Sequence, residues 1–501
     1  MHKRMIQMLC CTLLAVFVPL SAFAATFSMA GFDGESSRHN WETNGFFTRM
    51  EARTGVRFSF EQYTTYEEWL AAKQRMFSEG ALPDVLFKAE LTTREQIQYA
   101  AEGKLIDLLP LLPDNAPNLW ALLQENPSWL AAITLPDGKV VALPMLNTLT
   151  TQNAMWINRE WLEKLGLETP TDLDSLTETL RAFRDGDPNQ NGKQDEIPLA
   201  YLGAWDLKFL SHAVGLVAND YNVYLDDTGT VHFMPDDERY ITLLTWLRDA
   251  YAEGLLDPNG FTTADTLRTE TDESVAAKYG IFFGPSPMYL LPYATGEAYT
   301  ALMPLIYEGK QVYRDLFGGV IGGTFAITSA CQDPAEMLRW VDVLYTQEGA
   351  IQAMAGDAGT DYLLLSSGQW TYAGDMQTQS DYILYDLSLY DTGIMPWLFP
   401  TEFYERYQND LIPRLNQELA ALTAKASLPF PTVALTPEQE DYILPIQNEL
   451  GLYVDESLAR FVLGEWDVRD PDVLTAYREG LRERGLDDFL TFWQTLAQGL
   501  T

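Results

Sequence analysis

Cysteine and histidine are scarce in this 501-residue sequence, and their scarcity excludes several kinds of protein. There are three cysteines, of which only Cys331 lies beyond residue 24, and four histidines. A single remaining cysteine excludes an internal disulfide framework, and no histidine stands at metal-ligand spacing from another histidine or a cysteine. The sequence also has no Gly-x-Ser-x-Gly, Gly-x-x-x-x-Gly-Lys or Cys-x-x-Cys motif. We therefore expect neither a catalytic constellation nor a phosphate-binding loop.

Basic side chains are also few. Lys and Arg together number 33 against 71 Asp and Glu, which gives a formal net charge of −38. A surface this acidic repels nucleic acid and anionic lipid, so both are excluded as partners. Because 47% of the residues are hydrophobic and 12% are aromatic, the acidity indicates a solvated surface on a folded protein and does not indicate disorder.

Long apolar runs are absent after residue 24, and the run before it is too short to span a bilayer comfortably. Lys3 and Arg4 precede an apolar segment from residue 8 to 20, and Ala22-Phe23-Ala24 follows with the small-x-small pattern of a cleavage site. The two cysteines of this segment lie inside its apolar part, where a lipid-anchor motif does not place them. We predict a cleaved signal peptide over residues 1–24 and a secreted, soluble protein, periplasmic or extracellular.

Strands and helices alternate along the rest of the chain, which predicts an α/β architecture. The first hundred residues read as strand, helix, strand, helix and strand over 25–32, 41–54, 56–60, 65–80 and 84–87. This β-α-β-α-β opening predicts a parallel sheet whose strand ends form a ligand crevice. Further on, Asp333-Pro334-Ala335-Glu336 has the cap, the proline and the acid of a helix start. The last hundred residues read as mostly helical.

The segment from Asp187 to Glu196 is the sharpest local motif. Oxygen-bearing side chains stand at its positions 1, 3, 5, 9 and 10, with Gly192 at position 6. Calcium takes six to eight hard oxygen ligands from a tightly curled backbone, and an EF-hand-type loop supplies them at this spacing. The departure is Pro198, which stands where an EF-hand has glutamate. We predict a structural Ca²⁺ site with these ligands, Lys193 contributing its carbonyl: Asp187, Asn189, Asn191, Lys193, Asp195 and Glu196. The alternative is an ordinary Asn- and Asp-rich surface turn.

Five segments in order along the chain carry a resemblance to a known family. They are Glu68-Trp69 through Gly80-Ala81-Leu82-Pro83-Asp84-Val85, Asp137-Gly138-Lys139 through Pro144, the calcium loop, Asp333-Pro334 through Glu348-Gly349 followed by Gly359-Thr360-Asp361-Tyr362, and Leu435-Thr436-Pro437 through Gly464-Glu465. Together they resemble extracellular solute-binding proteins of family 1, the sugar-binding components of ABC importers. The calcium loop and its Asp-Glu-x-Pro ending resemble the larger members, including the alginate-oligosaccharide binders.

This resemblance implies a two-lobed Venus-flytrap fold, as in periplasmic binding proteins, with sugar bound between the lobes. It places lobe 1 at residues 25–142 and 300–362, and lobe 2 at 143–299 and 363–501. Lys88 and Ser286 fall where the maltose-binding type places sugar-stacking tryptophans, and Trp205 falls near a cleft aromatic of that type. Two of these three residues depart from the aromatic pattern, which argues against maltodextrin and leaves the ligand open. Asp33 is a candidate by its position after the first strand. Trp397 is a candidate stacking ring, and the alternative for it, the more common one, is a tryptophan buried in the core.

The resemblance further implies the substrate-binding component of an ABC importer. Such a protein binds an oligosaccharide as a monomer, delivers it to the permease subunits and has no enzymatic activity. Two other functions stay open at this point, a secreted glycan-cleaving enzyme and a glycan sensor or adhesin without a transport role. Neutral and acidic oligosaccharides both remain candidate ligands.

Overall fold

The computed structural model describes residues 25–35, 37–147, 153–262, 278–291, 293–316, 318–374, 382–389, 394–408 and 411–499. The predicted signal peptide over residues 1–24 lies outside the described residues. Within the described ranges, no helix combines the length and the apolar composition that crossing a bilayer requires.

Short strands and helices of moderate length alternate through the chain. The strands are β1 Ala25–Phe32, β2 Val56–Tyr63, β3 Val85–Phe87, β4 Leu143–Leu146, β5 Ala154–Asn158, β6 Ile197–Leu199, β7 Val223–Leu225, β8 Val231–Phe233, β9 Tyr279–Gly284, β10 Tyr299–Leu302, β11 Tyr313–Arg314, β12 Val320–Ile327, β13 Tyr362–Leu364, β14 Trp370–Tyr372 and β15 Ala426–Ser427. The α-helices are α1 Gly45–Thr54, α2 Tyr66–Glu79, α3 Thr93–Ala101, α4 Leu112–Asn115, α5 Pro117–Glu125, α6 Pro127–Ile133, α7 Arg159–Leu165, α8 Leu173–Asp185, α9 Gly203–Phe209, α10 Glu238–Ala252, α11 Tyr293–Gly296, α12 Pro334–Asp342, α13 Gln347–Ala355, α14 Thr401–Tyr404, α15 Leu411–Thr423, α16 Pro437–Leu463, α17 Pro471–Glu483 and α18 Leu486–Gln498. Short 3₁₀ segments cover Leu210–Val214, Met234–Asp236, Pro287–Tyr289 and Val343–Tyr345, and a π-helical segment covers Tyr382–Leu387.

The first lobe is built on a five-stranded sheet with the order β2-β1-β3-β12-β4. β1 pairs in parallel with both β2 and β3, as the opening of the sequence predicts. β12 runs antiparallel to β3 and β4, so the sheet is mixed where the sequence predicted a parallel one. Successive residues of the central strands point to opposite faces. Val85 and Phe87 therefore enter one buried cluster, while Leu86 enters another on the other side.

The second lobe is built on a four-stranded sheet with the order β10-β5-β9-β6. β5 runs antiparallel to its neighbours β9 and β10, and β6 is parallel to β9. A single hydrophobic core joins this sheet to the C-terminal helices, since Trp156 and Ile281 belong to the same buried cluster as Leu450, Phe461 and Phe489. The chain thus has separate cores on its two sheets, which gives the two-lobed α/β fold.

The observed strand pairing and core packing place residues in a different lobe from the predicted one at three points. Residues 143–146 form β4 in the first sheet, not the start of lobe 2. β10 (299–302) pairs with β5 in the second sheet, although most of it was predicted in lobe 1. Beyond residue 362, buried side chains such as Trp370 and Phe403 still belong to the first lobe's core. Boundaries like these depend on pairing between distant segments, which the local sequence does not encode.

Capping side chains fix the starts of several helices. Asp333 accepts a hydrogen bond from the Glu336 N–H at 2.9 Å, as predicted. The helix after it ends at Asp342, and α13 begins anew because Thr346 caps it through the Gly349 N–H at 3.0 Å. A Cβ at residue 349 would lie 2.0 Å from the Val343 carbonyl oxygen, so the close approach of these two segments requires glycine.

Candidate ligand-binding site

Trp205 borders a pocket of the second lobe and leaves 43% of its surface exposed. Its ring meets Phe209 edge to face, with the ring centroids 4.7 Å apart. The pocket is also lined by Lys208, Asp220 and Arg314. An exposed indole with polar groups close by can bury the C–H face of a sugar while those groups bind its hydroxyls.

The residue after Trp205 fixes the start of α9. Asp206 is buried, and its carboxylate accepts hydrogen bonds from the Leu202 N–H at 2.7 Å and the Asn153 amide at 2.9 Å. The Asn153 carbonyl accepts the Tyr313 hydroxyl. Asn153 directly precedes β5, and Tyr313 lies in β11. The helix that carries Trp205 is therefore anchored to the start of β5 and to β11.

Arg314 is a pocket residue that sequence reasoning missed. It lies in β11, and its side chain is 12% exposed. The guanidinium lies 5.3 Å from the centre of the Phe209 ring and pairs with Asp220, Nη2 to Oδ1, at 2.6 Å. No motif surrounds this arginine in the sequence. It reaches the pocket only because β11 pairs with the distant β15.

Asp33 and Lys88 are brought together, as their positions at the ends of β1 and β3 predict, but both side chains are buried. Lys88 Nζ lies 3.0 Å from Asp33 Oδ1 and 3.1 Å from the Asp33 carbonyl oxygen. Asp33 Oδ2 accepts hydrogen bonds from the Ser37 hydroxyl at 2.6 Å and the Gln62 amide at 3.0 Å, and lies 3.0 Å from His39 Nδ1. In this conformation Lys88 is thus half of a buried ion pair, not a sugar contact exposed at the surface.

The surroundings of Asp33 favour its charged form. Burial by itself would raise the pKa of this carboxyl, but the hydrogen bond with His39 and the charge of Lys88 outweigh burial, and the pKa lies well below its ordinary value of 3.8. Lys88 and Glu90 both have left-handed backbone, with φ values of 51° and 46°. Such conformations cost about 1–3 kcal/mol each and persist only where the surroundings enforce them. Here Ala89 and Leu91 donate backbone hydrogen bonds to β12 at 3.0 Å each.

The other two predicted ligand contacts, Ser286 and Trp397, lie in different surroundings. Ser286 is half-buried, two residues after the end of β9 and directly before the 3₁₀ turn, and its side chain makes no cap hydrogen bond there. Trp397 is buried in the first lobe's core, with its ring 5.6 Å from Phe399. The prediction that Trp397 stacks on a ligand is therefore wrong for this conformation, because the first lobe uses the ring for packing.

The loop from Asp187 to Glu196 is curled around its own side-chain oxygens. Asp187, Gln190 and Gly192 have φ values of 46°, 58° and 73°. The Asp187 carboxylate accepts the N–H groups of Asn191 and Gly192 at 3.1 Å each. The Asn191 side-chain oxygen accepts the Lys193 N–H at 2.7 Å. The backbone thus takes the tight conformation that the predicted calcium ligands require.

Glu196 gives the clearest indication that this loop suits a cation. Both of its carboxylate oxygens are buried, and no side chain among the described residues donates a hydrogen bond to them. Burial raises the pKa of Glu196 above its ordinary value of 4.5, and the negative charges of Asp187 and Asp195 act in the same direction, while the backbone N–H groups of Glu196 and Asp195 offset only part of the shift. A cation would relieve this arrangement, so the residues present fit one. Since no three His, Cys, Asp or Glu side chains form a metal-binding group among the described residues, the asparagine oxygens and a backbone carbonyl must complete the ligand set.

Known proteins with the same architecture include sugar-binding components of importers. The chain is 27% identical over 480 residues to the fructooligosaccharide ABC transporter substrate-binding protein FusA of Streptococcus pneumoniae, covering 89% of this chain and 85% of FusA. A FusA EF-hand mutant solved with fructo-nystose superimposes with a TM-score of 0.71 at 23% identity, covering 95% of this chain and 99% of that one. An extracellular solute-binding protein from Bifidobacterium longum subsp. infantis gives a TM-score of 0.78 at 21% identity, with 95% and 98% covered.

The match to a known family extends far beyond any one of the segments named in the sequence analysis. The model of the bacterial extracellular solute-binding proteins matches residues 42–351, more than half of the chain. The matched region includes β-strands of both sheets, the loop from Asp187 to Glu196 and the Trp205 pocket. The chain belongs to the bacterial extracellular solute-binding protein family.

Proposed function

We propose that the protein is the substrate-binding component of an ABC importer and that its substrate is an oligosaccharide. The observation that carries the proposal is the exposed Trp205 ring in a pocket that the Arg314–Asp220 pair also lines. The name of FusA describes a substrate-binding protein of an ABC transporter, and FusA aligns with this chain over most of both sequences. This similarity supports the proposal.

In this proposal the sugar binds on the second lobe against Trp205, and the first lobe closes over it. We divide the described residues into lobes by their cores: those within 25–147 and 318–408 form the first lobe, and those within 153–316 and 411–499 form the second. The buried Asp33–Lys88 pair fixes the strand ends of the first lobe that face the ligand, and Ser286 is a candidate contact. Contacts with both lobes exist only when the cleft is shut, so the sugar favours the closed form by its differential affinity.

The protein binds its sugar without altering it, works as a monomer and presents the closed form to separate permease subunits. A separate ATPase supplies the energy, since the sequence has no phosphate-binding loop. Residues 1–24 direct export, which places the mature chain in the periplasm or outside the cell. Enzymatic cleavage of glycans is the competing function, and detection of shortened products after incubation with an oligosaccharide would favour it.

We also propose that the loop from Asp187 to Glu196 holds one structural calcium ion. When bound, the ion supplies the positive charge that the loop's three carboxylates lack. The residues that would hold it are Asp187, Asn189, Asn191, Asp195 and Glu196 through side-chain oxygens and Lys193 through its carbonyl. The solved FusA variant described as an EF-hand mutant supports a loop of this kind in a relative.

Replacing Trp205 with alanine should weaken oligosaccharide binding about a hundredfold, because the sugar loses its stacking surface. Isothermal titration calorimetry with the oligosaccharide that most raises the melting temperature measures the effect. Tyr442→Ala is the matched control, because Tyr442 is similarly exposed at 52% but lies on α16, outside the pocket. Undiminished affinity in a Trp205→Ala protein that melts like the unmodified one would remove Trp205 from the site.

A further inference from the structure

We propose that the Arg314–Asp220 pair determines specificity in the Trp205 pocket and selects a neutral sugar ring through neighbouring hydroxyl groups. This inference rests on the proposed oligosaccharide-binding function and narrows it to uncharged ligands. It follows from how the pair is held, from the hydrogen-bonding groups that it leaves unused, and from the charge balance of the pocket.

Arg314 is fixed before any ligand arrives. The backbone on both sides of it is held, because Tyr313 donates an N–H to the Lys425 carbonyl and Asp315 donates one to the Ser427 carbonyl, both at 3.0 Å. Its guanidinium packs over the Phe209 ring and pairs with Asp220 at 2.6 Å. A planar donor group held in this way loses little conformational freedom when it binds a ligand.

Most of the hydrogen-bonding capacity of this pair is unused. Among the described residues, one Nη2–H of Arg314 donates to Asp220, and the buried Nε has no acceptor. Asp220 is 63% exposed, and one of its two carboxylate oxygens takes the arginine's hydrogen bond. The pair therefore offers donors and an acceptor side by side. A sugar hydroxyl both donates and accepts, so two neighbouring hydroxyls satisfy the arginine and the aspartate together.

The charges of the pocket disfavour a carboxylate on the sugar. Arg314 is neutralised by Asp220, and the other cation that lines the pocket, Lys208, lies 2.8 Å from Asp455. A uronic acid would bring another negative charge next to Asp220 with no uncompensated cation within the pocket to receive it. The net charge of −38 for the whole chain adds repulsion at longer range.

The test compares two panels of oligosaccharides, three to five residues long, by calorimetry at low salt. The neutral panel contains fructo-, galacto- and xylo-oligosaccharides, and the acidic panel contains oligogalacturonates and oligomannuronates. We expect the unmodified protein to bind a member of the neutral panel at least about tenfold more tightly than any acidic one. Arg314→Met should weaken that neutral binding about tenfold or more, since a charged hydrogen-bonding group is lost.

Asp220→Asn is the decisive variant, because it keeps the side-chain shape and leaves Arg314 without a counter-charge. We expect it to weaken neutral binding about tenfold and to strengthen acidic binding by a similar factor. Asp249→Asn is the matched control, since Asp249 forms an exposed pair with Arg469 at 2.6 Å outside the pocket, and it should change neither affinity.

Two results would overturn the inference while leaving the proposed function intact. One is tighter binding of an acidic oligosaccharide by the unmodified protein. The other is an Asp220→Asn protein that melts normally and keeps both affinities unchanged. If the unmodified protein binds no member of either panel, the proposed function fails and the inference falls with it.

Discussion

Replacing Asp33 with alanine should lower the free energy of unfolding by about 3–5 kcal/mol, the cost of removing one member of a buried ion pair. Lys88 is buried beside Asp33, and the substitution removes the carboxylate 3.0 Å from its ammonium group. The hydrogen bonds that the Ser37 hydroxyl and the Gln62 amide donate to this carboxylate disappear as well. Urea denaturation of the two proteins at pH 7 measures the difference.

A matched control separates this buried pair from surface pairs. Glu253 pairs with Arg181 at a similar distance, 2.8 Å, but both side chains are exposed. Glu253→Ala should therefore cost less than about 1 kcal/mol. The double variant Asp33→Ala/Lys88→Met should recover part of the loss, because the buried ammonium group is removed together with the carboxylate. A loss below 1 kcal/mol for Asp33→Ala alone would contradict the role we give this pair.

The Asp33–Lys88 pair also predicts that the stability of the protein depends on pH. Since the pKa of Asp33 is lower in the folded protein than its ordinary value of 3.8, its charged form stabilises the fold above about pH 4. This contribution is lost as the pH falls through the lowered pKa. The stability difference between the unmodified protein and Asp33→Ala should therefore be full at pH 7 and smaller at pH 3.

Removing calcium should lower the melting temperature by several degrees. A ligand that binds only the folded state stabilises it by mass action, by about 4 kcal/mol at a thousand times its dissociation constant. The comparison is between protein in a chelator and protein in millimolar calcium. Lys193→Ala should keep the shift, because only the backbone carbonyl of residue 193 is used. An identical melting temperature in both solutions would mean that the loop is a turn without an ion.

The effect of Glu196→Gln on stability should change sign when calcium is added. In chelator the variant should be more stable than the unmodified protein, because it removes a buried charge beside Asp187 and Asp195. In calcium it should be less stable, because it loses a ligand. The raised pKa of Glu196 gives a second check: the folded form holds this proton at higher pH than the unfolded form, so the calcium-free protein should lose stability as the pH rises above about 4.5. Equal stability of variant and unmodified protein in both solutions would exclude Glu196 as a ligand.

Much of the local structure could be predicted from the sequence, because short-range rules govern it. The strand over residues 25–32, the Asp333-Pro334 helix start and the curled loop around Gly192 depend on neighbours within a few positions. The start of α8 follows the same kind of rule, because the Asp172 carboxylate accepts the Ser175 N–H at 2.8 Å.

Long-range packing could not be predicted in this way. The sequence places Lys88 at a strand end but does not show that Asp33, 55 positions away, neutralises it inside the lobe. Trp397 looks the same in sequence whether it stacks on a ligand or fills a core. Arg314 enters the pocket only through the pairing of β11 with β15. Each of these outcomes depends on which distant segments meet, and the strand and helix pattern carries little information about that.

Small-angle X-ray scattering tests most directly the central claim, that an oligosaccharide binds between the two lobes and draws them together. The protein is measured alone and with a saturating concentration of the oligosaccharide that most raises its melting temperature. We predict a smaller radius of gyration with the sugar bound, because the ligand's contacts with both lobes exist only in the closed form. An unchanged radius of gyration at saturation would contradict it.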